Sequence, residues 1–170
     1  SASTQYYNVI QCTGGTLTLS GITCTKNSDS GSEGDNSSFY GNNSNTYAGA
    51  ASSTNYQSTT AASGAKIVIN NCAAVGNTTG ANAVIATNGA TIEIDGIAIT
   101  NNSRVSRGLH ATYGGIISAS NVTITTNGET SSTIATDRGG GTVTVNGGTA
   151  TANGAKSAVI YSTGTMSAID

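Results

Sequence analysis

The sequence predicts an all-β protein folded as a parallel β-helix, a solenoid of about five to six coils with ~25 residues and three short strands in each coil. A glycine-initiated motif recurs, and within each copy apolar and polar residues alternate with the period of a strand. The copies begin at Gly14, Gly64, Gly89, Gly114 and Gly140, and the last four are 25, 25 and 26 residues apart. Stacked coils place equivalent residues in columns ~4.8 Å apart, whereas a sandwich of hairpins does not repeat its turns at a fixed spacing.

Composition agrees with a thin, repetitive core in a single domain spanning residues 1–170. Apolar residues make up 36% of the chain, with one Phe and no Trp, and only 8% of residues are charged. With a net charge of −2, the chain has no excess of basic residues that would favour binding to nucleic acid. No apolar run is long enough to span a membrane. The start of the chain has no signal-peptide pattern, so any signal peptide has already been removed.

The first two strands of each coil carry inward pairs separated by one residue. For the first strand the pairs are Leu17 and Leu19, Ile67 and Ile69, Ile92 and Ile94, Ile117 and Ala119, and Val143 and Val145. For the second they are Ile22 and Cys24, Cys72 and Ala74, Ile97 and Ile99, Val122 and Ile124, and Gly148 and Ala150. Between these strands a corner column is polar throughout: Ser20, Asn70, Asp95, Ser120 and Asn146. Glycines after Asp95, Asn127, Asn146 and Asn153 are expected to supply positive φ at corners.

The third strand carries the only histidine. Its inward pairs are predicted to be Val84 and Ala86, Leu109 and Ala111, Thr133 and Ala135, and Val159 and Tyr161. The residues between them, Ile85, His110, Ile134 and Ile160, then form an outward column, and exposed apolar columns mark contacts with another chain. The alternative is that a bend turns this column inward. Arg107 and Asp137 are candidates for acid–base partners of His110, but no nucleophile accompanies them, so we interpret His110 as a surface residue.

A long insert interrupts the repeat at about residues 28–58. It contains Phe39, Tyr40, Tyr47 and Tyr56 among many Ser, Asn and Gly, a composition that adaptable binding surfaces use. We expect a long loop, which either binds a ligand through these aromatic residues or is a solvated excursion. A degenerate extra coil is the remaining alternative.

The segments "SRGLHATYGGIISASNVTITTNGE" and "STIATDRGGGTVTVNGGTATANG" resemble repeats of bacterial right-handed β-helix surface proteins, the adhesin-like and pectate-lyase-like solenoids. The resemblance is good from Gly64 to Ser162, moderate from Gly14 to Asn27, and absent in the insert. It implies a right-handed helix on a secreted or cell-surface protein. Members of this group include adhesins, polysaccharide lyases and glycoside hydrolases.

The sequence predicts no catalytic residue, no metal site and no cofactor, and we expect that the protein is not an enzyme. Solenoid glycosidases need carboxylates within about 5–10 Å of each other. Outside the insert only Glu93 and Asp95 are close, and Asp95 also belongs to the polar corner column. The three cysteines, Cys12, Cys24 and Cys72, form no zinc motif, and their pairing stays open.

Outward threonine pairs on the second strand raise the possibility of ice binding. The pairs Thr23 and Thr25, Thr123 and Thr125, and Thr149 and Thr151 recur, with Ala98 and Thr100 between them. Ala73 and Val75 interrupt this array. Threonine is also favoured on exposed strands in general.

A capping helix or charged strands are the usual protection for an open strand edge. No stretch of the sequence is typical of a helical cap, the final strand "TMSAID" has one acid at its last position, and the first strand "QYYNVIQ" has none. The end residues are Tyr6, Tyr7, Val9 and Ile10 at the start, and Met166, Ala168 and Ile169 at the finish. Two explanations compete: the chain is a fragment cut from a longer solenoid, or subunits stack end to end. Low charge and uncapped ends favour assembly, so we expect a secreted structural or adhesive solenoid that forms head-to-tail homo-oligomers, with a rise of roughly 24–29 Å per subunit. A carbohydrate-binding or carbohydrate-cleaving solenoid is the first alternative and an ice-binding face the second, and a glycan or a host surface is a further expected partner.

Overall fold

Parallel strands stack into a β-solenoid of about five turns, which confirms the predicted fold class. The computed structural model describes residue 1 and residues 7–27, 36–43 and 64–169. The described residues form no helix that is long and apolar enough to cross a membrane.

The described strands follow one another in a short–long alternation. They are β1 (Ile10–Cys12), β2 (Thr16–Ser20), β3 (Thr23–Lys26), β4 (Ser37–Asn42), β5 (Lys66–Gly76), β6 (Asn82–Thr87), β7 (Thr91–Asn101), β8 (Leu109–Thr112), β9 (Gly115–Thr126), β10 (Ile134–Asp137), β11 (Gly141–Ala152), β12 (Ile160–Tyr161) and β13 (Thr165–Ile169).

Two parallel sheets result from this alternation. The short-strand sheet has the order β1-β4-β6-β8-β10-β12, and the long-strand sheet has the order β13-β11-β9-β7-β5-β2, with β3 also pairing with β5. Each full coil therefore consists of one long strand followed by one short strand. Coil one is β2, β3 and β4, and coil five is β11 and β12.

The first two predicted strands of coils two to five are continuous, but they are bent. The bend falls on Asn71 (φ 49°), Gly96 (φ 82°), Asn121 (φ 55°) and Gly147 (φ 68°), one residue after the polar corner column. The strands pair on both sides of the bend and skip this residue. A left-handed residue thus separates two straight halves, and each half keeps the alternation of a separate strand.

The outward residues of the two halves form two faces of the solenoid. We call the face before the bend the first face, as in Lys66–Asn70, and the face after it the second face, as in Cys72–Gly76. Inward residues of both halves are buried in the core, including Ile67, Ile92 and Ile99. The predicted inward columns of these two strands are confirmed by the register of the long-strand sheet.

The corner glycines have two different roles. Gly96 and Gly147 have positive φ, as the sequence predicts. The prediction is wrong for Gly128 and Gly154, which do not have positive φ. At the corner to which they belong, the residues in the left-handed region are instead Gly80, Val105, Thr130 and Lys156. Gly128 is required for a different reason, because a Cβ there would collide with the carbonyl of Ser103 in the coil below.

The register of the short-strand sheet differs from the prediction by one residue in coils four and five. Ile134 pairs with Leu109 and with Ile160, so it belongs to the inward column of Phe39 and Val84. The outward column reads Tyr40, Ile85, His110, Ala135 and Tyr161. The structure therefore contradicts the predicted surface column of Ile85, His110, Ile134 and Ile160. The physical reason is that coil four keeps the 25-residue spacing in this sheet, so hydrogen bonding aligns Ile134 rather than Thr133 with Leu109.

The predicted exposure of this column is wrong as well. Ile85 and His110 are fully buried and Ile134 nearly so, and only Ile160 is half-exposed. Ile85 and His110 lie outside the apolar core cluster, and yet both side chains are buried. The chain therefore covers the outer side of the short-strand sheet as well as its inner side.

The predicted insert is not one continuous loop. Ser37–Asn42 forms β4, which pairs with β1 below and β6 above, so this segment supplies the short strand of coil one. Phe39 points into the core, and both Phe39 and Tyr40 are fully buried. The prediction that Phe39 and Tyr40 belong to a binding loop is therefore wrong, because their alternating apolar pattern fills the same columns as Val84 and Ile85. Tyr47 and Tyr56 lie outside the described residues, as does Tyr6.

Candidate functional site

The C-terminal end of the solenoid exposes aliphatic side chains that equivalent positions in other coils bury. Ile160 in β12 is 47% exposed, whereas Ile134 directly below it in the same column is 4% exposed. Val159, Tyr161 and Ile169 are likewise exposed at this end. Each would gain cover from one more coil.

Two cavities open at the same end. The first, of about 230 Å³, is lined by Ala150, Val159, Ile160 and Ala168 together with residues of the coil below. The second, of about 290 Å³, is lined by Ile160, Met166 and Ala168, among others. Ile134, Ile160 and Ala168 line both cavities and belong to inward columns, so both cavities reach the apolar core.

The last described strand of each sheet pairs on one side only. Within the described part of the chain, β12 pairs only with β10, and β13 pairs only with β11. The described residues of β13, Thr165–Ile169, carry no charge. Charged residues are one usual means of preventing strand addition, and within the described residues β13 has none.

The N-terminal end presents matching strands. Ile10, Leu17 and Ile22 pack against the core but are only partly buried, and Tyr7 is exposed. The predicted end residues Val9 and Ile10 lie here, while Met166, Ala168 and Ile169 lie at the opposite end. β1 pairs only with β4, and β2 only with β5, among the described strands.

A second notable arrangement is an ionic cluster around His110. Its Nε2 donates a 2.8 Å hydrogen bond to Oδ1 of Asp137. Arg138 Nε donates to the same oxygen at 3.1 Å, and an Arg107 terminal nitrogen lies 3.2 Å from Oδ2. His110 and Arg107 belong to coil three, and Asp137 follows in coil four, so the cluster joins two coils.

The two titratable members of this cluster have shifted pKa values. Burial lowers the pKa of His110, although the hydrogen bond with Asp137 opposes this shift. Burial raises the pKa of Asp137, but the hydrogen bond and charge of His110 and the two arginines outweigh it and hold that pKa below the usual range. The His110 ring is fully buried, and its Nδ1 has no hydrogen-bond partner. A ring without access to solvent fits the clamping of two coils and does not fit acid–base work on a substrate.

The carboxylate pair considered for catalysis lies on the first face. Glu93 and Asp95 line an open groove of about 280 Å³ together with Asn70, Ser118 and Ser120. Glu93 is ion-paired with Lys66 at 2.8 Å. Asp95 Oδ1 accepts hydrogen bonds from Ser120 and Asn121, which lower the pKa of Asp95. Asp95 therefore lacks the raised pKa of a general acid, and both carboxylates bind side chains of neighbouring coils.

An asparagine ladder runs along the solenoid and was missed by the sequence interpretation. The Nδ2 of each asparagine donates to Oδ1 of the asparagine one coil below, at 2.8–3.0 Å. The members are Asn27, Asn77, Asn102, Asn127 and Asn153. The signal was present in the sequence, because every aligned copy of the motif ends in asparagine at this position.

The second face stacks its threonines as expected. Thr23, Ala73, Ala98, Thr123 and Thr149 form one outward column, in register from coil one to coil five. Thr25, Val75, Thr100, Thr125 and Thr151 form the other. Coil two carries no threonine in either column, so the threonine array is interrupted as the sequence indicates.

The cysteines lie in the core. Cys12, Cys24 and Cys72 are free and buried, and burial raises the pKa of Cys24 to about 11. None of these thiols is poised for reaction with a second chain. In the described part of the chain, His, Cys, Asp and Glu side chains do not gather in groups of three that could hold a metal ion.

No protein-family model, curated protein or solved structure matches this chain. The site is therefore argued from geometry alone. Of the arrangements described above, the His110 cluster, the carboxylates and the asparagine ladder are already occupied by contacts within the chain. The C-terminal end is where the described surface gathers most of its exposed large apolar side chains, Val159, Ile160, Tyr161 and Ile169.

Proposed function

We propose that the protein is a secreted structural β-solenoid that assembles head to tail, with the C-terminal end of one copy receiving the N-terminal end of the next. The observation that carries this proposal is the exposed end of coil five, where Ile160 is half-exposed and two core cavities open. A second copy would supply the missing coil above these groups.

The energetics favour association at this end. Covering a half-exposed isoleucine or valine contributes about 1 kcal/mol, and Val159, Ile160 and Ile169 all gain cover. Strand addition also gives partners to the free backbone groups of β12 and β13. The low charge of the chain, with 8% charged residues, imposes little repulsion between copies.

Analytical ultracentrifugation and electron microscopy of the purified chain test this proposal. The wild type is expected to form rods whose length grows with protein concentration. Ile160→Lys places a charge on the C-terminal end and is expected to leave a folded monomer, because an unpaired charge in the junction is costly. The matched control is Ile116→Lys, which changes an exposed isoleucine on the first face, two strands below the terminal strand β13.

Two results would contradict the proposal. One is a wild type that stays monomeric at high concentration with a native circular dichroism spectrum. The other is an assembly that Ile116→Lys disrupts as strongly as Ile160→Lys, since that would place the contact on the side of the solenoid.

A further inference from the structure

We infer that the step from Asn146 to Gly147 is the site at which this protein deamidates, and that hydrogen bonds between coils protect its other Asn-Gly steps. The sequence contains four such steps, which begin at Asn88, Asn127, Asn146 and Asn153. These steps are chemically labile because glycine has no Cβ to shield its backbone nitrogen. Which of them reacts in the folded chain depends on what holds each asparagine side chain and on the room beside each glycine.

The reaction is an internal substitution that consumes only water. The backbone nitrogen of the glycine attacks the side-chain Cγ of the asparagine and gives up its proton. A new N–C bond closes a succinimide ring, and the Cγ–Nδ2 bond breaks to release ammonia. Water then opens the ring at either carbonyl, which leaves aspartate or isoaspartate. The asparagine side chain must therefore be free to turn towards the glycine, and the ring needs space.

Hydrogen bonds between coils hold three of the four asparagine side chains. Asn88 Nδ2 donates to Oδ1 of Asn42 at 2.9 Å. Asn127 Nδ2 donates to Oδ1 of Asn102 at 3.0 Å, and its own Oδ1 accepts a 2.8 Å hydrogen bond from Asn153. Each of these side chains must break its hydrogen bonds before it can react. Every bond that breaks first is expected to slow the reaction by about two- to tenfold.

The side chain of Asn146 is not held in this way. It is exposed in the polar corner column, and within the described part of the chain it forms no hydrogen bond. Ser120, in the coil below, donates its hydroxyl to Asp95 at 3.0 Å instead. In the strand above, the paired residue is Ile169, whose side chain has no polar group. Asn146 can therefore turn towards Gly147 without losing a hydrogen bond.

The room beside the glycines favours the same step. A Cβ on Gly128 would collide with the carbonyl of Ser103, and a Cβ on Gly154 would collide with the carbonyl of Gly128. The coil below therefore leaves no space for a ring at these two steps. A Cβ on Gly147 would have no atom within 4 Å. Gly89 also has room, so its step is protected by the hydrogen bond of its asparagine alone.

Deamidation at this step changes both the charge and the backbone of the first face. The aspartate product adds a third carboxylate to the open groove that Glu93 and Asp95 line. The isoaspartate product lengthens the main chain of β11 between Asn146 and Gly148, which are the paired residues on either side of the bend. Aged chains are therefore expected to be more acidic than fresh ones, and those with isoaspartate to be less stable.

Peptide mapping by mass spectrometry tests this inference on the full chain, aged in warm and mildly alkaline buffer. Trypsin places Asn88 and Asn127 on separate peptides, and Asn146 and Asn153 share residues 139–156, where fragmentation distinguishes them. The expected result is that Asn146 reacts first, ahead of each other step by at least about two- to tenfold. The matched control is the same chain in urea, where the four rates should converge because the contacts between coils are lost.

Asn102→Ala supplies a second test, because it removes the acceptor of the Asn127 amide. This variant is expected to raise the rate at Asn127 by about two- to tenfold and to leave the rate at Asn146 unchanged. Three results would overturn the inference. One is that a different asparagine reacts first in the folded chain. Another is that Asn146 leads by the same factor in urea, since the local sequence would then set the order. The third is an unchanged rate at Asn127 in Asn102→Ala.

Discussion

His110 occupies a column position that its neighbours fill with apolar side chains, Ile85 below and Ala135 above. Its ring is buried, and its single hydrogen bond goes to a carboxylate that Arg107 and Arg138 already contact. Protonation of this ring adds a second net positive charge to the cluster. It also creates a buried Nδ1–H donor without an acceptor, which costs about 1–3 kcal/mol.

The sign of the pH effect follows from this arrangement. The pKa of His110 is lowered in the folded chain, so the unfolded chain takes up the proton first as the pH falls below about 6.5. The associated stability is complete above pH 6.5 and is lost as the pH drops towards the lowered pKa. The pKa of Asp137 is also lowered, and its contribution is lost only below the ordinary aspartate pKa of 3.8. The loss of stability from Asp137 therefore begins at a lower pH than the loss from His110.

We expect acid to destabilise the wild type between pH 6.5 and pH 5, with a slope approaching about 1.4 kcal/mol per pH unit. His110→Gln keeps a donor for Asp137 but does not titrate, so its free energy of unfolding should be flat over this range. The measurement is urea unfolding followed by circular dichroism at several pH values. Because the chain has one histidine, no other histidine obscures the comparison. An equal loss of stability in wild type and His110→Gln would refute the role of this ring.

The asparagine ladder operates at the scale of strands, because each amide links the ends of two neighbouring long strands. An interior member both donates and accepts, as Asn102 does with Asn77 and Asn127. Asn153 at the last coil only donates, to Asn127. The loss on truncation should therefore depend on position along the ladder.

Asn102→Ala is expected to cost about 1–2 kcal/mol of unfolding free energy and Asn153→Ala about half as much, since each hydrogen bond contributes about 0.5–1.5 kcal/mol. The ladder is exposed, which favours the lower part of that range. Asn146→Ala is the matched control, an exposed asparagine of the corner column outside the ladder, with an expected change within about 0.5 kcal/mol. The comparison by urea unfolding would fail if all three variants lost the same amount.

At the scale of strands, the sequence predicts the inward columns correctly where two apolar residues alternate. It predicts them incorrectly where small residues weaken the alternation. The first two strands of each coil are correctly aligned because pairs such as Ile92 and Ile94 recur at fixed spacing. In "STIATD" both Thr133 and Ile134 are acceptable inward residues, so only the hydrogen-bonding register of the sheet decides between them. β4 was hidden because its Ser37–Asn42 segment lies between long stretches without the repeat spacing.

The candidate ends were predictable in part. The absence of charge in Thr165–Ile169 is visible in the sequence, and so is the lack of a helical cap. Burial of the outer side of the short-strand sheet was not predictable, because alternation tells which side a residue faces and not what covers that side. The sequence indicated Arg107 and Asp137 as candidate partners of His110, but it indicated neither the contact of Arg138 with Asp137 nor the burial of the His110 ring.

The whole molecule behaves as a stack in which each coil is stabilised by its neighbours, so the end coils gain most from association. Ligands that bind only the folded state raise its stability by mass action, and in the proposed assembly the ligand is another copy of the chain. Above the dissociation constant, each tenfold rise in protein concentration should add about 1.4 kcal/mol per junction. For a chain of this length that corresponds to a rise in melting temperature of about 3 °C.

Differential scanning calorimetry over a hundredfold concentration range measures this effect. The wild type and Ile116→Lys should both melt at higher temperature as concentration increases, by about 6 °C in total. Ile160→Lys should melt at a constant temperature, close to that of dilute wild type, because it loses the junction but keeps all five coils. If the wild type also melts at a constant temperature, the ends do not stabilise each other, and the exposed residues at coil five must be accounted for by a different contact.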